Sequence, residues 1–496
     1  MTTVSKTTAT LQVVTNPVLD KRISPIANVL FHNLHQLQAD FVRYVPWFPY
    51  PRQGVAELDP PNTRCSSTSS TNQTTYWNFS TAFQQPFLDT FHAVSPKRLV
   101  INFSTQPTWM FNTTDWRYHD DSPGTTDWHY PKGQWEPRTT ALVADYYGRL
   151  ASWIILGQCQ DEFGHWIQGG PALGTRVTHW EVFNEPEAEH RLEWREYIRM
   201  YDAVVRAIRI AADPDHRIEF FGLSLEGHNE WDWWTGFLTL ENHAPDVQDA
   251  VANGYASFHW YGQVSSRTNV SAFMEPFEQL PEFLEEVDQI IALRDRLSPT
   301  TKLAVNEAGA IPVDDNKIGV EPSPPIYYNM VAALYTVLVS ELSLKGVDVV
   351  GSSQFCGCPE IPQWNITDRQ FPGVSMTNWT TGSGNPRYWA LKMYLQYFGP
   401  GDQIVSASVV DRNIYVQARI TKDGKHIVIV VNKTDQKQTL KMQYLKGSHV
   451  SIVDESTHDG PWKEFDLDSV LLGLDPFAVA LVNVPARHKN MIASVH

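Results

Sequence analysis

"HWEVFNEP", His179 to Pro186, runs a strand-like segment, Trp180 to Phe183, directly into an amide, a carboxylate and a proline. Valine, phenylalanine and tryptophan suit a pleated, buried strand, and Pro186, with no N–H for a ladder, stops it. In a βα barrel the chemistry gathers at the carboxyl ends of the strands, so a polar group at a strand tip is the informative residue. "KLAVNE", Lys302 to Glu307, repeats the form. The 122 residues between Glu185 and Glu307 (307 minus 185) leave room for about three βα units at roughly 40 residues each. If the first tip ends strand four, the second ends strand seven.

Outward from these tips, short apolar runs alternate with helical patterns between about residues 25 and 400, the signature of repeated βα units. The strand candidates are Asp40–Tyr44, Arg98–Phe103, His179–Phe183, Ile218–Leu223, Ala256–Trp260, Lys302–Val305 and Val347–Gly351, with an eighth expected near Ile26–Phe31. Helices are expected over Ala141–Leu156, Arg191–Ala211 and Phe277–Leu297, the last with apolar residues at steps of three and four. This predicts an α/β fold, a (β/α)8 TIM barrel over residues 23–400. A doubly wound sheet is the alternative, but no Gly-x-Gly-x-x-Gly follows a first strand. After Gly399-Pro400-Gly401 the hydrophobic period becomes two, which predicts an all-β sandwich over residues 401–496. The segment "TATLQVV" within residues 1–22 is expected to complete its edge.

The chain has 496 residues and 42% hydrophobic content, enough for a large core. Its net charge of −16 argues against nucleic acid and anionic membrane as partners, since both would repel it. Eighteen tryptophans, many in expected loops, suit the C–H faces of sugar rings, although roughly half of such a set is ordinary packing. The stretch Ile326–Leu344 is broken by Asn329, Ser340 and Glu341 and reads as a buried amphipathic helix, below the quality of a membrane span. Cys65, Cys159, Cys356 and Cys358 allow one or two disulfides, and Cys356-Gly-Cys358 is too isolated for a zinc half-site. Eight Asn-x-Ser/Thr sequons, at Asn72, Asn78, Asn102, Asn112, Asn269, Asn365, Asn378 and Asn432, favour a secreted, extracellular protein, although the first residues hold no apolar signal-peptide run.

Two carboxylates facing each other across a barrel mouth are what retaining glycoside hydrolysis requires, one to protonate the departing oxygen and one to attack the anomeric carbon, about 5–5.5 Å apart. Asn184, beside the first, is placed to bond a sugar 2-hydroxyl. The competing reading has Glu185 capping the next helix and Glu307 paired with an arginine, and short motifs of this kind carry false positives. Two tips of the same form favour the catalytic reading.

"HWEVFNEPE", "ASFHWYG" and "LAVNEAGA" together resemble clan A glycoside hydrolases, most closely family 39, which contains β-xylosidases and α-L-iduronidases. The resemblance covers roughly residues 25 to 400, and the β-rich tail is similar to that family's accessory sandwich. It implies Glu185 as general acid/base, Glu307 as nucleophile and Asn184 on the 2-hydroxyl. It further implies that the hydroxyl of Tyr261, two residues after His259 in a His-x-Tyr, touches the nucleophile, and that Arg43 supports the nucleophile's charge from below. Three departures surround the sugar pocket: Phe183 replaces a tryptophan, no histidine follows Arg43 at the family spacing, and strand eight ends in Ser352-Ser353-Gln354-Phe355 instead of the expected tryptophan.

Trp47, after strand two, and Trp109, after strand three, are the aromatic candidates for substrate contact. "EWDWW", Glu230 to Trp234, either floors a subsite or starts a packed helix. His179-x-Glu181 lacks the spacing of a metal site, and by alternation Glu181 points the same way as Glu185 one layer deeper, as a buried, paired carboxylate. "GLSLEG" and "QGGPALG" match neither a serine elbow nor a phosphate cradle. The expectation is a retaining, metal- and cofactor-independent glycosidase acting on a carbohydrate substrate, exo-acting on a β-linked sugar such as xylose. The second hypothesis is a carbohydrate-binding barrel that does not cleave.

Overall fold

A computed structural model describes residues 2–46, 51–58, 60–61, 77, 81–95, 97–111, 137–315, 317, 319–359, 372–405, 407, 409–441 and 445–485. Eight parallel strands close into a barrel: β1 (Thr8–Thr15), β2 (Val42–Pro46), β3 (Leu99–Asn102), β4 (His179–Glu181), β5 (Glu219–Leu225), β6 (Tyr255–Val264), β7 (Lys302–Pro312) and β8 (Val349–Ser352). β8 pairs with β1, Val349 opposite Thr8, and this contact closes the ring. Helices on the outside follow the strands: α1 (Ala27–Leu37), α2 (Thr81–Val94), α3 (Pro137–Leu156), α4 (Trp194–Ala212), α5 (Trp231–Leu238), α6 (Glu275–Leu297), α7 (Ile326–Lys345) and α8 (Pro386–Tyr397). Glu185 therefore follows strand four and Glu307 lies in strand seven, as their spacing predicts.

Two assignments change. Ile26–Phe31 is not a strand but the start of α1, whose Ala27, Leu30, Phe31, Leu34 and Leu37 are buried at helical steps. The barrel's first strand is instead β1, the segment expected at the sandwich edge. From Ala9 to Thr15 every residue of β1 is buried, and a strand covered on both faces belongs in a parallel barrel. The barrel thus begins ahead of residue 23. The sandwich edge is completed by the three residues before it, Thr2–Val4, which pair antiparallel with β9 (Gln403–Val405).

Beyond β9 come β10 (Ile414–Ile420), β11 (His426–Asn432), β12 (Gln438–Lys441), β13 (His449–Val453), β14 (Lys463–Asp466), β15 (Leu471–Leu474) and β16 (Val479–Val484). One sheet runs Thr2–Val4, β9, β10, β11, β16, β13, β14, and β12 with β15 forms a second. Strand alternation divides the apolar load. Val428 and Val430 of β11 join Leu440, Leu472 and Leu474 between the sheets, whereas Ile427, Ile429 and Val431 join the barrel's core. Helix α7 lies between barrel and sheet, with Gln417 Nε2 on Ser340 O at 2.9 Å and Arg419 Nη2 on Ser343 Oγ at 2.6 Å. Fifteen of its twenty residues are buried, Asn329, Thr336, Ser340 and Ser343 among them, so it is covered around nearly its whole circumference and not amphipathic. Among the described residues no helix is long and apolar enough to cross a membrane.

Cys159 and Cys356 are free, buried thiols, which excludes two disulfides; Cys65 lies outside the described residues. Asn102 and Asn432 are fully buried, and their amides bond to Glu181 and to the carbonyls of Gln436 and Asp475. Neither can accept a glycan without unfolding its strand. Asn269 and Asn378 remain reachable; the sequons at Asn72, Asn78, Asn112 and Asn365 lie outside the described residues.

Candidate active site

The barrel interior changes character from bottom to top. Phe41, Val100, Phe221, Tyr255, Ala304 and Val349 plug the lower end, with Phe221 stacked on Tyr255 at 4.0 Å. Above them the inward-facing side chains are polar. Glu181 accepts hydrogen bonds from Arg43 Nε, Asn102 Nδ2 (2.7 Å), Asn306 Nδ2 (2.6 Å) and Ser257 Oγ (3.0 Å), the buried, paired carboxylate that its position on β4 predicts. A buried charge needs such partners.

Irregular backbone lifts the next layer to the mouth. Strand β4 ends at Glu181, earlier than expected, and the chain reaches Glu185 through Phe183 at φ +70° and Glu185 itself at φ +43°. Non-glycine residues rarely hold this left-handed region unless the surroundings impose it; here Glu185 N–H bonds to Ser224 O at 2.9 Å. Leu223 and Ser224 on β5 are left-handed too, where the register with β6 slips. On β7 a second slip between Val305 and Glu307 lets consecutive residues face the interior, Asn306 toward Glu181 and Glu307 toward the mouth. A bulge re-aims a side chain in this way.

Glu185, Glu307, Asn184 and Tyr261 line one cavity of about 260 Å³, together with Gln12, Glu189, Glu226, Ser353 and Gln354. A carboxylate oxygen of Glu185 lies within 4.8 Å of one of Glu307. That is the spacing of a retaining pair, well short of the roughly 6.5–9.5 Å of an inverting one. Glu307 accepts Arg43 Nη1 on Oε1 and Tyr261 Oη on Oε2, at 2.5 and 2.6 Å. Glu185 Oε1 meets His259 Nδ1 at 2.7 Å, and His259 Nε2 meets Ser224 Oγ at 3.1 Å. Asn184 is held at both ends, Oδ1 by Arg43 Nη2 (2.6 Å) and Nδ2 by Glu189 Oε1 (3.1 Å).

The two carboxyls are pushed apart in acidity. Burial, then the charge of Glu307 and that of Glu226, holds the Glu185 carboxyl well above the usual carboxylate range. Burial also works to raise Glu307, but His259, Arg43 and the Tyr261 hydroxyl together overcome it and hold that carboxyl low. Of these, Arg43 carries a permanent charge, whereas burial depresses the His259 pKa, so Arg43 is the cause that persists at every pH. One pocket thus offers a proton and an anion at the same pH. Glu185, His259 and Glu307 converge as cation ligands would, but Arg43 already supplies positive charge at Glu307.

Arg43 and His259, expected among the substrate contacts, are buried beneath the cavity and do not line it. They reach a bound molecule only through the groups they hold. Arg43 uses all five N–H bonds, on Glu181, Gln12, Glu307, Asn184 and Ser224, so none is left for a ligand. Trp109 does not line the cavity either: its indole N–H is committed to Glu57 O at 2.9 Å. Trp47 lies outside the described residues. "EWDWW" is the packed helix start, with Trp233 and Trp234 buried in α5. The competing reading is half right, since Glu307 does pair with an arginine, but Glu193, not Glu185, caps α4. Gln12, Ser224, Glu189 and Ser353 were missed. Gln12 sits on the misassigned β1, and Ser353 stood out only as a departure at the end of strand eight.

A family model described as the cyclo-malto-dextrinase C-terminal domain matches residues 409–449, within the β-rich tail. No curated protein matches the chain by sequence. Among solved structures, the GH51 arabinofuranosidase from Xanthomonas axonopodis pv. citri is similar at TM-score 0.61 and 11% identity, over 97% of each chain. The GH51 α-L-arabinofuranosidase from Thermotoga petrophila RKU-1 is similar at TM-score 0.54 and 12% identity, over 98% of each. A glycoside hydrolase family 30 subfamily 8 xylanase from Clostridium acetobutylicum is similar at TM-score 0.54 and 11% identity, over 97% of this chain and 96% of that one. At these identities the likeness establishes the fold, barrel and β domain together.

Proposed function

We propose that this chain is a retaining glycoside hydrolase in which Glu307 is the nucleophile and Glu185 the general acid/base. The observation that carries the reading is the pair of cavity carboxylates within 4.8 Å of each other, displaced in opposite directions in acidity. In the first step Glu307 attacks the anomeric carbon while Glu185 gives its proton to the departing oxygen, leaving a glycosyl ester. In the second Glu185, now anionic, takes a proton from water, whose oxygen displaces Glu307. Arg43 and Tyr261 hold Glu307 anionic before attack, and the side chain of Asn184 lies beside it for the sugar's 2-hydroxyl, a contact that strengthens as the ring flattens.

The finer reading is exo action on a β-linked sugar such as xylose, in the manner of family 39. Its support is the cavity's size, about 260 Å³, which is small against the roughly 300–1,000 Å³ of ligand pockets generally and suits one sugar ring better than a chain. The arabinofuranosidases and xylanase of like fold are in keeping with a pentose. We also propose that the protein is secreted, on the sequons at Asn269 and Asn378.

The test is Glu307→Gly. Turnover of aryl glycosides should vanish, and added azide should restore cleavage of an activated aryl glycoside with inverted configuration. Wild-type activity in the variant, or rescue with retention, refutes the nucleophile assignment. A barrel that only binds glycans predicts no turnover of any aryl xyloside, glucoside, galactoside, arabinoside or iduronide by the wild type.

A further inference from the structure

We infer that Gln12 and Ser353 are positioning residues for the nucleophile: with Arg43 and Tyr261 they close a ring of hydrogen bonds that forces the tyrosine proton onto Glu307. The inference rests on the reading of Glu307 as nucleophile and goes beyond it, since neither residue carries a charge or belongs to a recognised motif.

The proton directions follow from what each group can do. A guanidinium only donates, and Arg43 Nη1 spends one N–H on Glu307 Oε1 and the other on Gln12 Oε1 at 2.8 Å. That fixes the Gln12 amide with its nitrogen turned away, toward Ser353 Oγ at 2.6 Å. Ser353 accepts there, which leaves its own single proton for Tyr261 Oη at 2.6 Å, a contact that also suits the phenol as donor. Tyr261 Oη is equally close, 2.6 Å, to Glu307 Oε2. It has one proton, and a carboxylate can only accept. Were that proton on Ser353, a phenolic lone pair would face an anionic oxygen at contact distance. The ring therefore runs one way: Gln12 to Ser353 to Tyr261 to Glu307, with Arg43 donating to both ends.

Gln12, Ser353 and Arg43 are each 1–2% exposed, so solvent reaches this ring only from the cavity side, and bonds in such a chain polarise one another. Both oxygens of Glu307 are thereby held, and the carboxylate is kept ionised and aimed into the cavity. The serine at the end of strand eight, a departure from the resembled family, is the link that makes Tyr261 a donor to the nucleophile alone.

The experiment compares Ser353→Ala, Ser353→Thr, Tyr261→Phe and the double variant Ser353→Ala/Tyr261→Phe. The acidic limb of the kcat/KM profile on an aryl glycoside reports ionisation of Glu307. Ser353→Ala should move that limb to higher pH and lower kcat/KM by about tenfold, Ser353→Thr should restore both, and Ser353→Ala should add nothing on top of Tyr261→Phe. An unmoved limb, a loss confined to KM, or losses that multiply in the double variant overturn the ring. A second arm needs no turnover: labelling of Glu307 by a water-soluble carbodiimide, read by peptide mass mapping, should extend to higher pH in Ser353→Ala than in the wild type. If the wild type cleaves no glycoside the functional reading fails, while identical labelling curves sink the ring alone.

Discussion

Replacing Glu185 by alanine tests the division of labour between the two carboxyls. Within 4.8 Å two negative charges repel by at least roughly 3 kcal/mol at an effective dielectric near 20. With burial, this repulsion keeps a proton on Glu185 while Glu307 is ionised. A general acid so placed contributes roughly 10²- to 10⁴-fold when the leaving group is poor, or about 3–5 kcal/mol of barrier. The middle of that range is expected, because of the other two described cavity carboxyls one is tied up and the other faces solvent. Glu189 is committed to Asn184 and Ser104, and Glu226 is exposed. Glu185→Ala should therefore lose about a thousandfold on alkyl glycosides and little on an aryl glycoside whose phenol is a strong acid. The basic limb of the pH profile should disappear with the carboxyl. The acidic limb should stay, since Glu185 is uncharged at the pH where Glu307 titrates. The assay is kcat/KM against pH for a series of leaving groups. Equal losses across the series, or a persisting basic limb, would refute Glu185 as the acid.

Glu181→Gln keeps the volume but removes the negative charge beside buried Arg43 and turns one of the two oxygens that accept four buried donors into a donor itself. It should destabilise the fold by about 3–5 kcal/mol, read from the denaturant midpoint, and a change below about 1 kcal/mol would show that Arg43 finds another partner. His190, stacked on Phe183 at 4.7 Å, has its pKa pushed down by burial to about 3, from 6.5 when unfolded. A depressed histidine contributes stability above its unfolded pKa that is lost as pH falls, because only the unfolded state takes the proton. His190→Gln should flatten the fall in stability between those values by about 1.4 kcal/mol per pH unit, and melting curves with the wild-type slope would count against it. For the product secreted from a eukaryotic host, peptide mass mapping should find glycan on Asn269 and none on Asn102 or Asn432; occupancy of either buried site would contradict the burial.

The barrel was legible from its repeats. Seven of the eight strands and the strand-four and strand-seven positions of the glutamates follow from alternating apolar runs and their spacing, because that periodicity is local. The exception was instructive: β1 alternates polar and apolar residues from Thr8 to Val13, as a half-exposed sandwich strand does, yet is buried on both faces, so its period pointed to the sandwich. Only closure of the barrel, with Val349 opposite Thr8, assigned it.

Residue type and order along the chain were thus enough to nominate Glu185, Glu307 and Asn184, and the family resemblance added Tyr261 and Arg43. What each touches was settled in three dimensions. Arg43 and His259 proved to be supports beneath the cavity, and Gln12 and Ser353, 341 positions apart, became hydrogen-bonding neighbours. The physical reason is that hydrophobic period is written in consecutive residues, whereas the direction of a proton depends on every donor and acceptor within about 3 Å, and the closed barrel gathers these from strands hundreds of residues apart.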